Sequence, residues 1–134
     1  MLFLDTSVIV AYKNADDINH GRALRIIGDL AKGTYSMGLV TEYTILETVT
    51  VLKRKCDSRV AIEAGEALLN SREIKVIPSA ELFDATWQEF ANLARTDLGF
   101  VDVSNLVAMR LYGTRRIATF DGEFRKLKGI EVVN

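Results

Sequence analysis

With 134 residues, 17 Lys and Arg against 18 Asp and Glu, and a formal charge of −1, the chain fits one domain with a real core and has no global field that draws in a polyanion. Its balance of 49% hydrophobic to 26% charged residues is that of a soluble globular chain, and no apolar stretch approaches membrane-spanning length, so no membrane partner is expected. Cys56 is the single cysteine, which excludes an intramolecular disulfide and points to a reducing, cytoplasmic setting.

In chain order, Leu2–Leu4 reads as a short buried strand. The opening MLFLDTSVIV carries Asp5 and lacks a basic flank or a small-residue cleavage site, so it is a first strand rather than a signal peptide. Thr6–Tyr12 turns into a helix. Asn19–Ala31 is a helix with Ala23, Ile26, Ile27 and Leu30 on its apolar face, ended by Gly33. Tyr35–Val40 is a short strand. Thr41–Lys55 has helical spacing, with Tyr43, Leu46 and Val49 facing inward and Val51 or Leu52 beside them. Ser58–Asn70 is a helix carrying Val60, Ala61, Ala64, Ala67 and Leu68. Ile74–Ile77 is a strand stopped by Pro78, the only proline. Ala80–Arg95 is a helix whose apolar residues are Leu82, Phe83, Trp87, Phe90 and Leu93. Val103–Leu111 is helical, nearly all apolar and therefore central, and the strands Arg116–Phe120 and Ile130–Val133 close the chain. No linker or repeat divides it. Strands separated by helices predict one domain over 1–134, an α/β/α sandwich of three layers around a short, mostly parallel sheet.

Four acids stand out by position. Asp5 closes the apolar run Leu2–Leu4, Asp121 closes the run Arg116–Phe120, Asp102 opens DVSNLVAM, and Glu47 lies inside a helix. Ligands of an open α/β sheet bind beyond the carboxyl ends of its strands, where such acids can converge. Carboxylates brought together repel unless neutralised, and a hard divalent cation is the usual answer. This pattern suggests a metal-dependent phosphodiester hydrolase. Each Asp at a strand–helix junction also has a plainer reading as a helix N-cap, which accepts free N–H groups in the field of the helix terminus. It is the joint pattern, with both acid-ending strands carrying the acid at the carboxyl end, that favours a site.

Other chemistries are excluded. His20 is the only histidine and sits in the polar segment NADDINHGRA, so Ser-His-Asp and Cys-His catalysis are not supported. One Cys and one His do not make a zinc site. Gly33 to Gly38 has P-loop glycine spacing, but Leu39-Val40 stands where Lys and Ser or Thr are required. A receiver-type switch lacks its late Lys, and a D-x-D phosphatase would need an acid where Ser7 stands. The basic groups Lys53-Arg54-Lys55, Arg115-Arg116 and Arg125-Lys126 fit solvated faces. Lys53, Arg54, Arg115 and Arg125 nonetheless flank acidic segments in sequence and are candidates for holding a phosphate backbone.

These residues carry a resemblance to the PIN-domain family, especially its small stand-alone VapC-type ribonuclease toxins. It covers the whole chain and rests on FLDTSVIVA, TEYTILETVTVLKRK, DLGFVDVSNLVAMRLYG and RIATFDGEFRKLKGIEVV. The resemblance implies a three-layer fold, Mg²⁺ or Mn²⁺ bound by Asp5, Glu47, Asp102 and Asp121, and cleavage of RNA. It places Ser7 and Thr119 among the hydroxyls that orient those carboxylates, and it implies a homodimer and a cognate antitoxin partner. An RNA-maturation nuclease, or a PIN-like module that binds RNA or protein without cutting, is the alternative. One departure is Gly99-Phe100, where relatives often have Ser-Phe, so a supporting hydroxyl is absent; Asp97 and Glu42 occupy commonly polar positions that can support the site.

Overall fold

The computed structural model describes residues 1–93 and 95–134. Five strands, β1 (Leu2–Leu4), β2 (Gly38–Thr41), β3 (Ile74–Ile77), β4 (Arg116–Ala118) and β5 (Glu131–Val133), form a single sheet in the order β3-β2-β1-β4-β5. Every pairing is parallel, with Phe3 opposite both Leu39 and Ile117, Val40 opposite Val76, and Ile117 opposite Val132. Parallel neighbours need crossovers; α1 (Thr6–Lys13) and α2 (His20–Ala31), α3 (Glu42–Lys55) and α4 (Ser58–Asn70), and α5 (Phe83–Asn92) and α6 (Phe100–Leu111) provide the first three, and the 3-10 turn Gly122–Lys126 lies in the link from β4 to β5.

Alternation along the strands divides the interior into two layers. Leu2, Leu4, Val40 and Ala118 pack with Val8, Ile9, Ile26, Leu30 and Leu68. Their neighbours Phe3, Leu39, Ile77 and Ile117 point the other way, onto Leu82, Val103, Leu106, Met109 and Phe124. The three-layer α/β/α sandwich expected from the sequence is therefore the observed fold. The chain leaves β1 to one side through β2 and β3, and continues on the other through β4 and β5. This reversal opens a crevice past the carboxyl ends of β1 and β4, the usual place for a ligand.

Several boundaries differ from the sequence reading, each because of a tertiary partner. β2 starts at Gly38 rather than Tyr35, where its partners Leu2 and Ile74 begin. β4 stops at Ala118 because β1 and β5 run out beside it, and Thr119 and Phe120 turn toward Asp121. The segment after Pro78 is a short 3-10 turn, Ser79–Glu81, followed by α5. Position 94 of the helix predicted over 80–95 lies outside the described residues.

On two helices the expected inner face held in part: Tyr43, Val49 and Leu52 of α3 and Leu82, Phe90 and Leu93 at α5 are buried or pack against the core, and three other expected residues do not. α3 buries Thr44, Ile45, Thr48 and Leu52, and it leaves Leu46 61% exposed. α5 buries Thr86 and leaves Phe83 and Trp87 exposed. In both helices threonines take core positions that a count of apolar residues leaves out.

Candidate active site

Asp5 sits directly after β1 and is buried. Its Oδ2 accepts hydrogen bonds from the Ser7 hydroxyl (2.6 Å), the Thr119 hydroxyl (2.8 Å) and the Ser7 backbone N–H (3.2 Å). Its Oδ1 accepts from the Asn105 amide at 3.3 Å. Burial pushes its pKa up, against the lowering effect of the Ser7 and Thr119 hydroxyls. All of these donors are neutral. They fix the orientation of the carboxylate without cancelling its charge. Asp5 is also the N-cap of α1, so it caps a helix and borders the crevice at once.

The same duality applies to two other acids. Asp102 lies in the first turn of α6 and its Oδ2 accepts from the Gly99 N–H at 2.8 Å, one half of a capping box. Its pKa is raised to about 6, first by burial and then by the charges of Asp5, Asp121 and Glu47, while the Gly99 bond opposes the rise. That coupling places the four acids in one electrostatic neighbourhood. Asp121 caps the 3-10 turn Gly122–Lys126 through the Glu123 N–H at 2.9 Å. Its own N–H donates to Thr119 Oγ1 at 3.0 Å, tying it to the hydroxyl that holds Asp5. Glu47 accepts from the Thr6 hydroxyl at 2.6 Å. Ser7 Oγ lies 3.3 Å from Thr119 Oγ1 and accepts from the Phe120 N–H, so both expected hydroxyls belong to one network between β1 and β4.

Asp5, Glu47, Asp102 and Asp121 line one cavity of about 330 Å³, together with Asp17, Asn19 and Lys55. Roomier concavities of about 510 and 570 Å³ lie elsewhere and contain none of the four acids. Charge, not volume, marks the chemical site. The ion pairs of the described residues, Arg59–Glu63, Arg110–Glu89, Arg116–Glu131 and Lys126–Glu123, involve none of them. Such an uncompensated all-oxygen set suits a hard divalent ion. Among the described residues no group of three His, Cys, Asp or Glu side chains is gathered tightly enough to ligate one ion directly. This is compatible with Mg²⁺, which takes one or two carboxylates and keeps several waters.

The remaining candidates scatter. Arg54 lies on the wall of an adjoining groove, Lys53 lines the cleft between α3 and α4, and Arg115 lines a concavity with Arg110 and Lys128. Arg125 is exposed on the turn after Asp121. Glu42 accepts from the Ser79 N–H and hydroxyl, both at 2.7 Å, bracing α3 against the turn after β3 rather than supporting the cavity. Asp97 is exposed and is not among the residues lining the cavity. His20 Nδ1 donates to the Ala11 carbonyl at 2.7 Å, a structural bond between α2 and α1.

Besides Asp17 and Asn19, which line the cavity, Thr6, Asn105 and Lys55 escaped the sequence reading. Thr6 and Asn105 hold Glu47 and Asp5, and Lys55 brings a cation into the cavity. Lys55 was legible in principle, standing two helical turns after Glu47 on the same face. Asn105, one turn after Asp102 in an otherwise apolar helix, was a polar residue in a core position and carried a similar signal.

Comparison with known proteins agrees with this fold. The 23S rRNA-specific endonuclease VapC20 of two Mycobacterium tuberculosis strains, CDC 1551 / Oshkosh and ATCC 25618 / H37Rv, is 29% identical over 132 residues, covering 98% of both chains. The crystal structure of M. tuberculosis VapC20, described as a sarcin-ricin loop cleaving toxin, superposes with a TM-score of 0.87 at 30% identity over the full length of both chains. FitAcB from Neisseria gonorrhoeae shares the fold, with a TM-score of 0.62 at 16% identity over 100% of this chain and 97% of that one. The PIN domain profile matches residues 2–130, a span that takes in β1 to β4 of the parallel sheet and Asp5, Glu47, Asp102 and Asp121; the chain belongs to the PIN domain family.

Proposed function

We propose that the chain is an endoribonuclease that needs Mg²⁺ or Mn²⁺ and acts as the toxin of a toxin–antitoxin pair in the cytoplasm. The observation that carries this reading is the meeting of Asp5, Glu47, Asp102 and Asp121 on one cavity at the switch point of the sheet, with no ion pair to neutralise them. The similar protein named for 23S rRNA cleavage supports a structured ribosomal RNA loop as the substrate class. No described helix is long and apolar enough to cross a membrane.

Asp5 and Asp102 would mainly hold the ion, with Glu47 and Asp121 completing the site or orienting a water, and the bound ion would supply positive charge to the scissile phosphate and a more acidic water. The rest is the protein's own work. Ser7, Thr119 and Asn105 keep both Asp5 oxygens in place. Thr6 aims Glu47 and the Gly99 N–H aims Asp102. Lys55, on the same cavity wall, adds a cation that offsets phosphate charge entering an acidic site.

Purified protein should cut an RNA carrying a sarcin–ricin-type loop when Mg²⁺ or Mn²⁺ is added, and stop on EDTA. Asp5→Asn should abolish cutting. Cleavage that persists in EDTA would refute the metal mechanism.

Two partners complete the reading. An antitoxin tail placing a basic side chain among the four acids would block the cavity. Its affinity should fall sharply when Asp5, Glu47, Asp102 and Asp121 are all replaced by amides. A two-fold homodimer through α2 and α4 is supported by the exposure of Ile18, Leu24, Ile62 and Leu69. Light scattering at micromolar concentration measures it directly.

A further inference from the structure

The face of α3 beside the catalytic cavity has its own groove of about 400 Å³, lined by Tyr43, Leu46, Glu47, Val51, Arg54 and Val101. Glu47 and Val51 also line the acidic cavity, so the two share a wall. Tyr43 is half-buried, its ring meeting Phe100 edge-on at 5.5 Å and 86°, which fixes its orientation. Leu46 stands 61% exposed in the middle of α3, where burial would otherwise be expected of it. Arg54, two turns beyond Glu47, has no ion pair among the described residues.

We propose that this groove binds an unstacked base of the RNA strand being cut, with the base against Tyr43, Leu46 and Val101 and a neighbouring phosphate on Arg54. The inference rests on the nuclease reading and adds the residues that choose where the strand lies. A groove with an aromatic, apolar floor and a cation at its end matches a nucleotide in both parts, the base by its flat apolar faces and the phosphate by its charge. Its continuity with the acid cavity sets the distance scale. A strand whose phosphate lies beside Glu47 must carry a flanking nucleotide past the same helix. An RNA paired throughout cannot present that base, so the groove selects loops or single strands. A protein segment is the rival occupant of any apolar face, and it is an outcome of the test.

The cut is first mapped on wild-type protein with a loop RNA and Mn²⁺. Each base within two nucleotides of the cut is then replaced in turn by an abasic residue. One replacement should raise KM about tenfold, as loss of a stacked base does, with kcat little changed. In Leu46→Ser or Tyr43→Ala, KM for the intact RNA should rise similarly, and the same abasic replacement should then have no further effect. Arg54→Ala should raise KM for every RNA and reduce the salt dependence of binding. Circular dichroism and light scattering accompany each variant. Unchanged KM in Leu46→Ser, or abasic effects that simply multiply with the variant's effect, overturns the proposal. A Leu46→Ser variant that changes oligomeric state while wild-type KM is insensitive to every abasic replacement assigns the face to a protein partner and overturns it too. A wild-type protein that cuts no RNA refutes the underlying nuclease reading, and that result is seen before any variant is made.

Discussion

At the scale of single residues, the site is an anion store held open by neutral donors. Asp102 reports this most directly, since burial and three neighbouring carboxylates raise its pKa to about 6. A folded-state pKa above the unfolded one means the native chain binds the proton more tightly. Its contribution to stability is complete below the ordinary carboxylate range and is lost as pH rises through about 6. The full shift corresponds to about 3 kcal/mol, and the half-exposed position and solvent screening reduce it to about 1 kcal/mol. Asp102→Asn keeps an acceptor for the Gly99 N–H and removes the charge. In chelator-treated protein it should therefore be about 1 kcal/mol more stable than wild type at pH 8, with the difference vanishing near pH 4. Urea melts at both pH values measure this, and a net loss at pH 8 would show that the cap outweighs the repulsion. Asn105 tests the opposite term. Its amide donates to Asp5 and its Oδ1 accepts from the Thr44 hydroxyl, itself 2.9 Å from Thr41 Oγ1. Asn105→Leu strands buried polar groups at both ends and should cost about 1–3 kcal/mol. Activity should fall further than the loss of folded protein accounts for, because Asp5 loses the donor on Oδ1.

At the scale of elements, the sheet positions the acids by ending where it does. β1 and β4 stop side by side at Leu4 and Ala118, and the Asp5 N–H donates to the Ala118 carbonyl at 3.0 Å. The turns that follow carry Asp5 and Asp121 into the same crevice. The start of β2 is equally constrained. A Cβ on Gly38 would lie 3.0 Å from Leu30 Cδ2, 3.2 Å from Ile74 Cγ1 and 3.4 Å from the Glu73 carbonyl oxygen. Gly38→Ala should therefore destabilise by about 1–3 kcal/mol through overpacking between α2 and β3. It should lower the urea midpoint with an unchanged m value, leaving cleavage by the folded fraction intact.

At the scale of the whole molecule, the unpaired acids make the metal-free protein less stable than it can be. Mn²⁺ at a hundred times its Kd should stabilise wild type by about 2.7 kcal/mol by mass action. Asp5→Asn and Asp102→Asn should show a much smaller rise in Tm. Equal rises in all three would place the ion outside this cavity. The surface offers exposed apolar residues for association. Leu24 is exposed on α2 and Ile62 and Leu69 on α4, while α5 exposes Phe83 and Trp87, whose rings lie 6.0 and 6.5 Å from Phe100. If the dimer forms through α2 and α4, Ile62→Glu with Leu69→Glu should yield monomer in light scattering, and Trp87→Glu should not. The reverse result would move the interface to α5.

The sequence by itself determined the layer order, the parallel sheet and the positions of the four acids. Those features follow from local rules, namely short apolar runs, helical spacing and an acid at the end of a strand, and Ser58–Asn70 and Ile74–Ile77 were read to the residue. The metal-site and cap roles of Asp5 and Asp121 were rivals in sequence, and only the structure placed both acids on one cavity while each still caps a turn or helix. Tertiary structure alone decided that Thr6 and Asn105 hold Glu47 and Asp5, because they lie 41 and 100 residues from the acids they bind. It also decided that Thr44 and Thr86 are buried where Leu46, Phe83 and Trp87 are not. A threonine whose hydroxyl is satisfied or enclosed inside the fold, as Thr44 and Thr86 are, counts as core. That status depends on its neighbours in space, and the spacing of apolar residues along the chain carries no record of it.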